Sequence, residues 1–274
     1  MPEPPLRALL RTLVGLAGSI GDAVLQVLSD LGGMTLMCAR LLVLAVRPPY
    51  HLRNLLAAME AIGFGSLSVV VLTALFSGAV FSLQIALAFS LFNAESLVGA
   101  SIGLSLAREL APVLTGLMVT GRAGSAIATE LGTMRVSEQI DALATMAVEP
   151  EHYLLVPRVL AGIITLPLLT IVFNFVAIVA AAFVAIHVEN LSVATFWSRI
   201  PSWVEMKDVV GGLIKAAVFG LILSLAGCYK GYNASGGARG VGLATTQAVV
   251  LASVLILVSD YVLTSLMLPW WRSS

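Results

Sequence analysis

LSLARELAPVLTGL, residues 104–117, places Arg108 and Glu109 next to each other inside an otherwise uncharged apolar run. Whether that run lies in water or in lipid decides the fold. Of the 274 residues, 59% are hydrophobic and only 11% charged, whereas soluble domains are close to half apolar and about a quarter charged. The run is therefore read as part of a membrane span. In hydrocarbon every backbone N–H and C=O must be satisfied internally, which an α-helix achieves. An ionisable side chain held there is costly and marks a functional position by default. Successive helical residues point about 100° apart, so Arg108 and Glu109 must reach different partners. The same segment carries Gly99-x-x-x-Gly103 and Ala107-x-x-x-Ala111, small residues that let two helices approach closely.

Working outward, five stretches can cross a hydrocarbon core of about 30 Å, which takes about 20 helical residues. They cover about 61–92, 96–121, 159–186, 209–229 and 241–268. The expected fold is an all-α polytopic integral membrane protein with five transmembrane helices. Pro167 predicts a kink in the third. Residues 6–47 differ. Leu6, Leu9, Leu13, Leu16, Ile20 and Val24 recur at three- and four-residue steps opposite Arg7, Arg11, Asp22 and Asp30. That is the pattern of an N-terminal interfacial amphipathic helix; a sixth, poorly formed span within 13–46 is the competing reading. No small-x-small cleavage site follows, so the N-terminus is expected to be retained.

Orientation follows from the loop cations. Arg7, Arg11, Arg40, Arg47, Arg53, Arg122, Arg135, Arg158, Lys230 and Arg239 lie on one side, against Arg199, Lys207 and Arg272 on the other. The positive-inside rule puts the N-terminus in the cytoplasm and the C-terminus outside, with Trp270 and Trp271 in the outer aromatic belt.

The longest connection, Arg122 to Arg158, begins GRAGSAIATELGTMRVSEQIDALATM (121–146). Ile127, Leu131, Met134, Ile140, Leu143 and Met146 fall on or near one side of a helix there, and Glu130, Ser137, Glu138 and Asp141 favour the other. A short amphipathic helix facing the cytosol is something a partner can grip, or it packs on its own bundle. On the outer side VENLSVATFWSRIPSWVEMKD (188–208) supplies Phe196, Trp197 and Trp203 for an interfacial helix.

The chemistry of a self-contained enzyme is missing. KGYNASGGARGVGLATTQAVV (230–250) is glycine-rich, but no Gly-Lys-Ser/Thr follows and the chain has no Walker A pattern. His51, His152 and His187 sit at separate predicted membrane edges and match no metal triad. Cys38 and Cys228 are read as two small buried hydrophobes. Neither metal nor nucleic acid is an expected ligand.

Two further spans hold one charge each. Lys215 is seven residues beyond Asp208 and Asp260 eight before Leu268, which places them roughly 10 and 12 Å below the outer side. They are therefore level, and either a structural pair between them or contact with a lipid is open. Glu109 is thirteen residues from Ser96, a depth of about 20 Å.

At this point a resemblance enters. ARELAPVLTGLMVTGRAGSAIATELGTMRVSEQIDALATMAVEP (107–150) is similar to the signature region of MlaE/YrbE-type permeases, and PRVLAGIITLPLLTI (157–171) and GGARGVGLATTQAVV (236–250) follow in the family's order. The resemblance covers roughly residues 50–268. It implies a permease domain over 56–274 after an N-terminal interfacial region, 1–55. It also implies the permease subunit of an ABC transporter in the bacterial inner membrane. That transporter would move phospholipids or related lipids between inner and outer membranes and so contribute to outer-membrane lipid asymmetry. The implied partners are a second copy of the chain, a cytoplasmic ABC ATPase that alone uses ATP and Mg²⁺, and a periplasmic ring of MCE-domain proteins. This chain would bind no cofactor. Arg108, Glu109, Lys215 and Asp260 would be the lipid-transport residues, joined by Gln84 from SLQIALAFSLFNAE (82–95). The coupling helix within 125–146 would meet the ATPase through Glu130, Arg135, Glu138 and Asp141. On the residues alone, a stand-alone secondary transporter and a structural membrane scaffold are the rival classes. Against the first stands the lack of paired inverted repeats.

Overall fold

Long apolar runs become long helices, and their ends sort the molecule into two poles. In the computed structural model, which describes residues 28–272 and before them Gly21 and Leu25, every regular element is helical. In chain order these are α1 (Leu28–Ala45), α2 (Leu52–Ser90) and α3 (Glu95–Val136). They are followed by α4 (Gln139–Thr145), α5 (Glu151–His187), α6 (Val193–Ser198) and α7 (Ile200–Trp203), then α8 (Met206–Tyr232) and α9 (Gly237–Arg272). One pole, here the basic end, holds the start of α2, the end of α3, α4, the start of α5 and the α8–α9 turn. The other, the tryptophan end, holds α6, α7 and the C-terminus.

Among the described residues six helices are long and apolar enough to cross a membrane, α1 among them. The polar ties of α1 nevertheless place both its ends at one pole. Lys230 Nζ donates to Asp30 Oδ2 at 2.7 Å, and Arg47, just past the helix, meets His152 Nε2 through its carbonyl at 3.2 Å. Lys230 closes α8 and His152 opens α5, so α1 begins and finishes at the basic end. Its buried residues Met34, Met37, Leu41 and Leu44 seat it on the bundle. The part of the interfacial-helix expectation covering residues 6–27 lies outside the described residues, Gly21 and Leu25 excepted.

Small residues set the packing. On α2 the buried positions Ile62, Ser66, Val70, Ala74, Gly78, Ser82 and Ala86 come at every fourth residue, a single ridge laid against α5. A Cβ on Gly78 would run into the Ala177 backbone, and Ser82 Oγ donates to the Ala181 carbonyl at 2.9 Å. The other faces of α2 are apolar and open, as Phe64 and Phe76 show, which suits lipid. Between α5 and α8 the contact is backbone to backbone: a Cβ on Gly162 would strike the Gly220 carbonyl, and one on Gly220 the Gly162 carbonyl. Close approach of this kind lets dispersion contacts and interhelical hydrogen bonds replace the hydrophobic drive that lipid removes.

Among the described residues the helices widen into three π turns, Leu106–Leu110, Thr120–Gly124 and Glu151–Leu155. Each shows an i→i+5 bond: Ala111 N–H to Leu106 O, Ser125 N–H to Thr120 O, Val156 N–H to Glu151 O. Prolines account for two of them. Pro112 and Pro157 each lack an N–H and would press on the carbonyl four residues back, which widening the preceding turn relieves. The carbonyl that Pro157 leaves without its helical donor, Tyr153 O, accepts from Asn54 Nδ2 at 3.4 Å.

Three expectations need correction. The second span does not stop near Gly121, because α3 continues to Val136. Residues 125–146 are consequently not one helix lying across the membrane face. Their first half prolongs α3, Glu138 turns the chain in the left-handed region at φ 60°, and α4 is a separate short helix. The apolar side expected to face a partner is largely covered, with Ile127, Leu131 and Ile140 buried, because α8 and α9 pack on the end of α3. Third, the outer loop forms two short helices broken at Arg199, with Ser192 capping the first through the Thr195 N–H at 3.0 Å. Phe196 is buried rather than interfacial, its carbonyl lying against Gly99.

Candidate functional site

The first π turn of α3 carries both Arg108 and Glu109, and it aims them at different helices, as their adjacency required. Arg108 reaches Asp208 in the first turn of α8: Nε and Nη2 both donate to Oδ1 at 2.8 Å. Asp208 is held for this. Its Oδ2 accepts the Glu205 N–H at 2.9 Å in a reciprocal capping box at the start of α8, so the carboxylate is fully engaged although only 1% exposed.

Glu109 meets Lys215, about two helix turns further along α8. The ammonium donates to Glu109 Oε2 at 2.6 Å, to Thr264 Oγ1 at 2.7 Å and to Asp260 Oδ1 at 3.0 Å. Those are the three bonds a lysine can make, and they satisfy a side chain with 0% exposure. Thr264 has a single hydrogen to give, with Glu109 Oε1 at 3.2 Å and the Asp260 carbonyl at 2.8 Å both in reach, which ties the pair to α9. Trp271 covers the cluster from the C-terminus, with the Arg108 guanidinium 4.7 Å and Lys215 Nζ 5.7 Å from the indole centroid. Such cation–π contacts favour charges that have lost water.

The Lys215–Asp260 pair is therefore present, inside a wider network. Two parts of the expectation fail. Glu109 is not deeper than Lys215 but level with it, because the first turns of α3 are sheathed by α6 and α7 rather than by lipid: Gly99 lies against Phe196 and Gly103 against Val204. Trp271 is not in an exposed belt but 7% exposed, since Gly211 leaves room for the indole on α8. Gln84 takes no part; it is exposed on α2 and joins none of these bonds. Asp208, Thr264 and Trp271 were missed as site residues. Asp208 was visible only as a loop-edge acid, though its place three residues beyond Glu205 at a helix start carries the signal of a capping box.

Among the four coupling candidates, Arg135 Nη1 bonds Asp141 Oδ1 at 2.7 Å across the α3–α4 corner, and Glu138 makes the turn itself. Glu130 lies apart from them and accepts from Arg158 Nη2 at 2.7 Å. That pair lines a cavity of about 320 Å³ between α2, α3 and α5, together with Asn54, Ala58, Ile62 and Ile127. Arg122, counted only as a loop cation, sits in the second π turn and donates from Nη1 to the Ala61 carbonyl at 3.2 Å and Ser66 Oγ at 3.5 Å.

Chemically the cluster at the tryptophan end presents two partly exposed carboxylates, Glu109 and Asp260, and the partly exposed guanidinium of Arg108. A family model described as Permease MlaE matches residues 55–266. A probable ABC transporter permease protein of Rickettsia conorii is 43% identical over 254 residues, 93% of this chain and 98% of its own. A probable ABC transporter permease protein of Synechocystis is 40% identical over 215 residues, 78% of this chain and 82% of its own. The intermembrane phospholipid transport system permease protein MlaE of Haemophilus influenzae is 34% identical over 256 residues, covering 93% and 98%.

Proposed function

This chain belongs to the MlaE permease family, and we propose that it moves phospholipids between the inner and outer membranes as the membrane subunit of an ABC transporter. It is a permease, a multi-pass inner-membrane protein, and its similarity to an intermembrane phospholipid permease supports phospholipid as the cargo. Two copies would face each other around the lipid path. A separate ATPase would bind at the basic end, and a ring of MCE-domain proteins would sit beyond the tryptophan end. The basic end is then cytoplasmic and the C-terminus periplasmic, as the ten-to-three distribution of cations favours. Removing lipids from the outer membrane's outer face, or supplying it, would contribute to that membrane's asymmetry.

The observation that carries this reading is the cluster of Arg108, Glu109, Lys215, Asp208 and Asp260 on three helices. It is buried at its lysine and open at Glu109 and Asp260, whose side chains are 36% and 21% exposed. A scaffold would bury both partners; a transport site must present one. The same α3 that holds Arg108 and Glu109 runs on to Arg135 and the α4 corner, so one helix joins the polar site to the surface offered to the ATPase. Glu130, Arg135, Glu138 and Asp141 are the proposed coupling residues, with Glu130 acting on the α5 side and the other three at the corner.

The test is purification of the chain in mild detergent with whatever it binds, followed by lipid transfer between membranes. An ATPase subunit should co-purify. Lys215→Ala should abolish transfer while that assembly still forms. Failure of any ATPase to accompany an intact permease overturns the ABC reading, and loss of assembly in the variant favours a structural role.

A further inference from the structure

We infer that the charged cluster receives the ammonium-bearing half of a zwitterionic headgroup, with a primary amine seated on Glu109 and Asp260 and the phosphate beside Arg108; this rests on the cluster being the lipid site.

Charge comes first. Among the described side chains the cluster sets two cations, Arg108 and Lys215, against three carboxylates, Glu109, Asp208 and Asp260. Outward of the cluster, Lys207 Nζ lies 3.2 Å from Glu205 Oε2 and donates to the Trp271 carbonyl at 3.4 Å. A surplus negative charge at membrane depth is costly unless something positive joins it.

Accessibility then decides which charges a ligand can touch. Lys215 has no exposure and all three of its hydrogens are given to Glu109, Asp260 and Thr264, so it has nothing to offer a phosphate. Asp208 is equally closed, bonded to Arg108 and to the Glu205 N–H. The open members are Glu109 and Asp260. Ionised carboxylates only accept hydrogen bonds, and among the described residues Asp260 Oδ2 receives none while Glu109 Oε1 receives only Thr264. An incoming donor with positive charge completes both. Charge-assisted bonds of this kind are about twice as strong as neutral ones.

A phosphodiester needs a donor close by, and the cluster supplies one on its other side. Arg108 commits Nε and Nη2 to Asp208, while its Nη1 bonds no described residue, and its side chain is 26% exposed. The indole of Trp271 stacks on that guanidinium and packs its N–H edge against Gly211, so it holds Arg108 in place rather than meeting a ligand. The arrangement is therefore bipolar: acceptors from Glu109 and Asp260, and a donor from Arg108. Phosphatidylethanolamine matches both ends. Phosphatidylglycerol brings the same phosphodiester but offers the acids only neutral hydroxyls, so its net negative charge stays uncompensated.

The experiment uses the full chain, purified in mild detergent with its co-purifying partners, and titrates it with phosphatidylethanolamine and phosphatidylglycerol of identical acyl chains. Bound lipid is counted by native mass spectrometry. Phosphatidylethanolamine should bind about tenfold tighter, the difference expected from one charge-assisted hydrogen bond. Asp260→Asn should bring the ratio close to one by weakening phosphatidylethanolamine alone; Glu109→Gln serves the same purpose if the first variant does not fold. Equal or stronger binding of phosphatidylglycerol to the unaltered protein overturns the ammonium assignment while leaving a phospholipid site in place. A ratio unchanged by either substitution overturns the placement on these carboxylates. If neither lipid is retained, the underlying lipid-site reading fails instead.

Discussion

Two π turns of one helix each present an arginine to a neighbour, and they solve the problem in opposite ways. Arg108 meets a carboxylate, Asp208, in a network of five charges. Arg122 meets only neutral oxygens, the Ala61 carbonyl and Ser66 hydroxyl. A carbonyl can hold an arginine in place but cannot change its charge or trade partners. Carboxylates shared among Lys215, Thr264 and Arg108 can do the latter, since each bond broken there leaves another acceptor within reach. The comparison separates a fastening from a site.

The largest effect should come at Lys215. Lys215→Met keeps the shape of the side chain but strands Glu109 and Asp260 at membrane depth, and removal of one partner from a buried ion pair costs about 3–5 kcal/mol. Thermal unfolding in detergent should show it, and adding Glu109→Gln should recover part of the loss. No recovery would mean the two do not share the interaction. Asp208→Ala comes next, at about 2–3 kcal/mol, because it removes both Arg108's counter-ion and half of the α8 capping box. It also tests the site against the fastening, since Asp208→Asn should keep the cap yet still disturb lipid transfer. Arg122→Gln should cost only about 1 kcal/mol, the net worth of a hydrogen bond, and leave headgroup preference alone. A double-mutant cycle between Arg122 and Ser66 should couple by less than one between Lys215 and Glu109. If it couples more strongly, the contrast collapses. Last, Arg135→Ala breaks a pair with 38% and 61% exposed side chains and should change stability by less than about 1 kcal/mol. Any larger effect on ATP-driven transfer would then belong to coupling.

How far the sequence could reach is visible at these same residues. That Arg108 and Glu109 diverge follows from helical rotation, and that Lys215 and Asp260 are level follows from equal distance to the outer edge; both are local arithmetic. Asp208 could not be found that way, because hydropathy ends a span at the first acid and so assigned it to the loop. The level of Glu109 was misjudged for a related reason. Counting from Ser96 assumes that lipid begins there, whereas α6 and α7 cover the first turns of α3. Nothing in hydropathy distinguishes an apolar residue facing protein from one facing lipid. The continuation of α3 to Val136 was hidden by Arg122, a charge that reads as a loop and is in fact laid across α2. The π turns leave only an indirect trace, the prolines at 112 and 157. The overall all-helical class, by contrast, was plain from composition, since lipid allows so few alternatives.

The bare contact of Gly162 with Gly220 has a mechanical side. With no side chain between them, the two backbones meet directly, and a tilt of α8 against α5 would turn about this contact. Gly220 then serves as a fulcrum. Lys215 stands five residues to one side and Lys230 ten to the other, arms of about 7.5 and 15 Å. A push delivered at the Lys230 end reaches the charged cluster reversed in direction and reduced to about half its stroke. Such gearing suits a drive that moves far and a grip that has only to loosen by the length of a hydrogen bond.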